Sequence, residues 1–278
     1  TRVARETNTL LINPNAGADE ITGALCAPNI FRVSFSAWQP SYAMGNVMLE
    51  RKHKNVVTLT WKYSFGEQSV AAFKEAFEKG GGKVVKEMTL PFPNTEFQPY
   101  LTEIAALKPD AVFVFFSGAG AVKFVKDYAA AGLKASIPLY GPGFLTDGTL
   151  EAMGDAGAGL LTTLHYADGL DNAKDKAFRT RYAITYKMQP DVFAVQGYDA
   201  AQLLAAGVAG VKGDLGKRAE LVKAMETAKV DSPRGAFQLS RAHNPIQDIY
   251  LRKVEGRENK VVGMAAKALA DPARGCKM

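Results

Sequence analysis

The sequence is poor in the residues that carry most enzyme chemistry. Among 278 residues there are three histidines, His53, His165 and His243, and two cysteines, Cys26 and Cys276. The histidines stand isolated, and none of the patterns HExxH, GxSxG or GxxxxGK(S/T) occurs, which argues against zinc hydrolases, nucleophile-elbow hydrolases and P-loop nucleotide binders. The cysteines lie at opposite ends of the chain with no CxxC spacing, which excludes a metal knuckle or a thioredoxin-type pair. Two buried free thiols and one long-range bridge both remain open on the residues alone. Long apolar runs are also missing: the uncharged stretches 111–122 and 138–146 fall short of the roughly 20 residues that span a bilayer. The start, Thr1 to Arg5, lacks a basic-then-apolar signal pattern, leaving a cytosolic protein or a mature or truncated exported one. Nor is charge strongly one-signed. Thirty-four basic against 28 acidic residues give +6, an excess too diffuse to indicate nucleic acid.

What is present reads as a folded α/β chain, 47% hydrophobic and 22% charged, long enough for about two domains. Val56-Val57-Thr58-Leu59-Thr60 reads as a buried strand, and Phe65-Gly66-Glu67 opens a helix that runs to Lys79 and stops at Gly80-Gly81-Gly82. Strand, helix and strand follow at 83–90, 97–107 and 111–116; the last is continuously apolar, as expected for a parallel sheet covered on both faces. A helix over 119–131 and strands at 137–140 and 160–164 complete the alternation, which predicts a doubly wound α/β domain. Three successive helices, 175–187, 192–209 and 217–228, need a sheet to cover. The short strands near Leu10-Leu11-Ile12 and Phe31-Arg32-Val33 are the available ones, so the first 35 or so residues and the helices after 168 are expected to build one lobe and residues 36–167 the other. A last strand at 248–254 and a basic tail close the chain.

Ligands of open α/β sheets sit beyond the carboxyl ends of strands, which makes the cleft between two such lobes the expected site. Ser117-Gly118-Ala119-Gly120-Ala121-Val122-Lys123 follows a strand and precedes a helix, as a dinucleotide-binding turn does, but Lys123 stands at the third glycine position and no acidic ribose partner follows. The same small residues suit backbone N–H groups facing an anion, or a tight turn with no ligand. Phe35, Trp38, Trp61, Tyr63, Phe65, Tyr140, Phe144 and Phe193 cluster at strand ends and the turns after them, where each ring either packs or contributes to a flat apolar slot.

The order of Ile12-Asn13-Pro14-Asn15-Ala16-Gly17 with Ile21-Thr22, Phe31-Arg32, Phe65-Gly66-Glu67, Lys108-Pro109-Asp110-Ala111, Ala131-Gly132-Leu133, Tyr140-Gly141-Pro142 and Tyr198-Asp199-Ala200 resembles the type I periplasmic solute-binding proteins of ABC transporters, the leucine/isoleucine/valine-binding family. The resemblance implies two doubly wound α/β lobes joined by three hinge crossings: lobe I from 1–35 and 168–247, lobe II from 36–167 and 248–263, and a C-terminal tail over 264–278. It also implies that the sequence begins inside the first lobe, which is then incomplete. Amino-acid binders of the family place a carboxylate just after the Gly-Pro of the cleft strand to hold the ligand ammonium; here that position is Gly143, followed by Phe144. An unpaired ammonium in a closed cleft is costly, so α-amino acids are disfavoured.

Asn15-Ala16-Gly17 match the segment whose backbone and hydroxyl groups hold a ligand carboxylate in the family, with Gly17 replacing the usual hydroxyl. Phe65 and Phe193 match positions where the family sets rings over the ligand, with Trp38 and Trp61 adding rings at neighbouring turns. The expectation is an extracytoplasmic solute-binding component of an ABC uptake transporter. It holds a small aromatic carboxylate in the cleft through Asn15, Ala16, Gly17, Trp38, Trp61, Phe65, Ser117, Gly118, Gly143, Phe144 and Phe193, with no catalysis, cofactor or metal. Its partners are the solute and a membrane permease, not nucleic acid; it is a monomer, and the periplasm allows Cys26 and Cys276 to bridge. A ligand-sensing regulatory domain on the same fold and a branched-chain amino-acid binder are the alternatives.

Overall fold

The computed structural model describes residues Thr1–Met278 and divides them between two units. The first unit comprises Thr1–Ser36, Gly169–Asp248 and Lys267–Met278; the second comprises Ala37–Asp168 and Ile249–Ala266. A short helix, α1 (Arg2–Thr7), ends at Asn8 in the left-handed region and leads into β1 (Leu11–Asn13), which pairs in parallel with β2 (Ile30–Arg32).

The second unit opens with α2 (Trp38–Glu50), a helix that the sequence patterns do not announce. It carries no charge before its last residue and is buried on most sides, so the amphipathic stripe that normally marks a helix is absent. Pro40 falls in its first turn, where a missing N–H costs nothing. Gly45 lets it approach the next helix closely, since a Cβ there would lie 2.8 Å from the Phe73 carbonyl oxygen. Then come β3 (Asn55–Lys62), α3 (Ser64–Lys79), β4 (Lys83–Pro91), α4 (Gln98–Leu107), β5 (Ala111–Phe115), α5 (Gly118–Ala130), β6 (Leu139–Pro142), α6 (Leu150–Met153) and β7 (Leu161–Leu164).

Strands β4, β3, β5, β6 and β7 lie side by side in that order, all parallel. Successive side chains on these strands enter opposite faces, and both faces are covered. Val57, Leu59, Val112 and Val114 pack with α4 and α5 through Leu101, Ile104, Phe124 and Val125. Val56 and Phe113 pack with α2 and α3 through Met44, Met48, Phe73 and Phe77. This double coverage is why the strands read as continuous apolar runs. Asp110 ties the sheet together at its amino end: its carboxylate accepts from the backbone N–H groups of Asn55 and Lys54, both at 2.8 Å, and these bonds hold its pKa below the usual carboxylate range.

Back in the first unit, α7 (Ala173–Tyr186) and α8 (Val192–Gly210) are capped by the side chains of Asn172 and Asp191, and α9 (Arg218–Glu226) follows. Phe31, Val33, Leu203, Leu221, Met225 and Phe237 form this unit's core. The short β8 (Gln238–Leu239) pairs antiparallel with the start of β9 (Pro245–Glu255); from Ile249 onward β9 belongs to the second unit, where it pairs antiparallel with β7. The last strand is not the one ending near residue 254, as the patterns predicted. A turn at Gly256, with φ of 62°, leads into β10 (Glu258–Leu269). That strand lies at the sheet edge and is mostly half-buried or exposed, so it lacks the apolar content by which buried strands are recognised. Cys26 and Cys276, both in the first unit, form a disulfide with Cα atoms 5.5 Å apart. No helix is long and apolar enough to cross a membrane.

Candidate functional site

At the carboxyl ends of β3, β5 and β6 the second unit gathers rings. Phe65, at the start of α3, lies 4.4 Å from Phe115 between ring centroids and meets Phe144 edge-on at 6.0 Å. Tyr63 packs beside Phe92 at 5.0 Å, and burial pushes its phenol up to about 12, so it is a neutral hydroxyl at any physiological pH. Phe65 is half-buried and Phe144 is 8% exposed. Such an edge-and-face arrangement suits a flat apolar ligand.

The turn after β6 is built on a buried ion pair. Arg252 of β9 is fully buried, and its guanidinium meets Asp147 two-pronged, with Nη1 3.3 Å from Oδ1 and Nη2 2.8 Å from Oδ2. The same group donates to the Tyr166 carbonyl at 2.9 Å, the Gly143 carbonyl at 3.2 Å and the Thr162 hydroxyl at 3.0 Å. Satisfying a buried cation this fully is what makes its burial tolerable. One consequence falls on Gly143. A Cβ there would lie 2.6 Å from Arg252 Nη2 and 2.6 Å from Leu164 Cδ2. The inward space is thus taken by a cation and a methyl group, and no carboxylate side chain fits at this position in this backbone.

Trp61, expected among the ligand rings, is a core residue. It is 4% exposed, packs edge-on against Phe92 and Phe116, and donates its indole N–H to the Asn94 carbonyl at 2.7 Å. Gly120 of the small-residue turn gives it room, since a Cβ there would strike the indole. Gly118 has φ of 54° and starts α5 after Ser117. The glycines therefore have two local uses, a left-handed turn and close approach of a ring. Trp38 lies in the first turn of α2 and not at a strand end. It stacks on Tyr42 at 4.3 Å and donates its indole N–H to Glu75 at 3.0 Å.

In the first unit, the Asn15-Ala16-Gly17 turn is organised by Asn13. Its side-chain oxygen accepts from the Asn15 and Ala16 amides at 3.2 and 2.9 Å, and its amide donates to the Ala16 carbonyl. These two N–H groups, expected as carboxylate donors, therefore already have a partner within the turn. An asparagine two residues before a turn amide is the sequence signal of such a closure. Arg32, buried, clamps the next segment by donating to the carbonyls of Gly17, Ala18 and Phe35, and desolvation lowers its guanidinium to about 10. Phe193 stands in the first turn of α8 and is 41% exposed.

Asp199, in the Tyr198-Asp199-Ala200 motif, is buried at 3.4 Å from Arg234, which donates to the carbonyls of Val33 and Ser34. Burial pushes the Asp199 carboxyl up to about 6, against the pull of Arg234 and of the Ser232 hydroxyl. A carboxyl with a raised folded-state pKa favours the protonated folded form. Its contribution to stability therefore grows as pH falls from above 6 toward 3.8 and is lost as pH rises through 6. Asp199→Asn is expected to flatten that gradient, read as the difference between denaturant midpoints at pH 4.5 and 7.5 in each protein. An unchanged difference would show that Asp199 titrates normally. No group of three or more His, Cys, Asp or Glu side chains could hold a metal ion.

Residues 1–259 match the periplasmic binding protein family. A solute-binding protein of an R. palustris ABC transporter, solved with benzoate, is 55% identical and superposes with a TM-score of 0.95 over 100% of this chain and 76% of its own. A second, from Rhodopseudomonas palustris BisB5 and solved with 3,4-dihydroxybenzoic acid, is 33% identical with a TM-score of 0.89 over 98% and 76% of the two chains. The Brucella melitensis Leu/Ile/Val-binding protein homolog 6 is 33% identical over 91% of this chain, which spans 66% of that relative's length. Matched nearly end to end in sequence and fold, the chain belongs to the periplasmic binding protein family, with the type I architecture of ABC-transporter solute-binding proteins.

Proposed function

We propose that this protein is the extracytoplasmic solute-binding component of an ABC uptake system and that its solute is a small aromatic carboxylate. The observation that carries the reading is the turn at Gly143: Arg252 and Leu164 leave no room for a carboxylate side chain at the position where amino-acid binders of the family carry one for the ligand ammonium, while Phe65, Phe115 and Phe144 supply rings beside it. The 55% identity to a benzoate-bound solute-binding protein supports the same solute class. Within the second unit, the amides at the start of α5, after Ser117, are the donors assigned to the carboxylate. The proposed compartment is the periplasm, where the Cys26–Cys276 disulfide is stable, and the proposed partner is a membrane permease. The protein binds and releases its solute unchanged.

Calorimetric titration with benzoate, 4-hydroxybenzoate and leucine tests this. Tight aromatic-acid binding with a negative heat-capacity change is expected, because apolar surface is buried. Tight leucine binding with none for the aromatic acids would favour the second reading, suggested by the name of the Brucella relative. Phe65→Ala is expected to weaken benzoate binding by more than about 1 kcal/mol while leaving the thermal midpoint near wild type, since the ring is half-buried and a stacked pair is worth about that much. A lowered midpoint with unchanged affinity would make Phe65 a packing residue only.

A further inference from the structure

We infer that Arg252 is a specificity-determining positioning residue, one that touches no solute and sets the turn Gly143–Leu145 so that Phe144 presents its ring to an aromatic acid; the inference rests on the aromatic-acid reading. The guanidinium joins four separate pieces of the second unit. It reaches the Gly143 carbonyl at the start of the turn, Asp147 at its end, the Thr162 hydroxyl on β7 and the Tyr166 carbonyl beyond β7. Within the turn the amides of Thr146 and Asp147 both donate to that same Gly143 carbonyl, at 2.9 and 3.0 Å, so its position governs how the intervening residues are wound. Thr146 is further held by Asn259 at 2.7 Å, and the Asn259 amide by Asp168 at 3.0 Å.

Phe144 is the side chain this frame carries toward Phe65. A planar fork with five donors is suited to reach carboxylate, carbonyl and hydroxyl at once, and lysine, a single-point cation, is not. Arg252 also occupies the inward face of Gly143, so the turn backbone is free to run over the guanidinium only because position 143 has no side chain.

The test compares wild type, Arg252→Lys, Phe144→Leu and the double variant. Each is titrated with benzoate and with cyclohexanecarboxylate, a saturated acid of the same charge, and thermal midpoints are recorded alongside. Wild type is expected to prefer benzoate. Arg252→Lys is expected to lower benzoate affinity about ten-fold, as loss of a positioned ring contact would, while the saturated acid changes much less; in the Phe144→Leu background the same change should add little. Equal losses for both acids, or an intact benzoate preference, would overturn the inference.

Hydrogen exchange gives a readout that needs no solute: the Thr146 and Asp147 amides should exchange faster in Arg252→Lys, with the amides of β3 unchanged. Should Arg252→Lys fail to fold, Thr162→Val removes one acceptor of the fork and carries the same expectations. A wild type that binds leucine and no aromatic acid overturns the solute reading, and the exchange measurement then judges Arg252 separately. Unaltered exchange at Thr146 and Asp147 would show that Arg252 does not hold the turn.

Discussion

Reducing the Cys26–Cys276 bridge, or replacing Cys276 by serine, is expected to lower the stability of the first unit by about 4–5 kcal/mol. The two cysteines are 250 residues apart in sequence. On the chain-entropy model, opening a loop of that length returns about 5.5 kcal/mol of conformational freedom to the unfolded chain, and residual structure in that chain takes back part of it. The tail itself has little apolar surface. It is held by the bridge, by the Ser36 hydroxyl on Asp271, and by turns that close Ala273 onto Asp271 and Cys276 onto Ala273. Denaturant titration of the oxidised and reduced protein measures the loss, with intact mass confirming the redox state. Coincident midpoints would show that the tail docks without its covalent tie.

Trp61→Ala is expected to destabilise the second unit by about 3–5 kcal/mol, the range for truncating a large buried ring. The indole is 4% exposed, wedged between Phe92 and Phe116 and seated over Gly120, and its loss also leaves the Asn94 carbonyl without its donor. Trp61→Phe keeps most of the ring and loses the hydrogen bond, so a loss of only about 1 kcal/mol beyond repacking is expected there. Denaturant midpoints distinguish the two variants. Wild-type stability in Trp61→Ala together with lost benzoate affinity would return the residue to the ligand site.

The contrast between Trp61 and Phe65 shows where reading a sequence stops. Both rings fall at the carboxyl end of one strand, four residues apart, and composition treats them alike. Strand alternation separates them only once the neighbours on each face are known: Trp61 enters the face covered by α5, whereas Phe65 begins α3 and stays half-buried. Helix α2 escaped for a related reason. A helix buried nearly all round has no polar stripe, and periodicity is the only local signal a helix of that kind would give.

The Asp147–Arg252 pair was wholly illegible. Its members are 105 residues apart and belong to no motif, and each alone is an ordinary charged residue in a chain that has 62 of them. By contrast, the alternation of strands and helices follows from local pattern, and the order of motifs along the chain carries the resemblance that implies the type I architecture and a compartment in which Cys26 and Cys276 can bridge. Strand period, helix caps and glycine turns are short-range properties, and the chain carries them wherever it folds. Which ring faces a solute, which glycine must stay a glycine and which arginine holds a turn depend on what distant segments bring into van der Waals contact. That information exists only when the chain has packed.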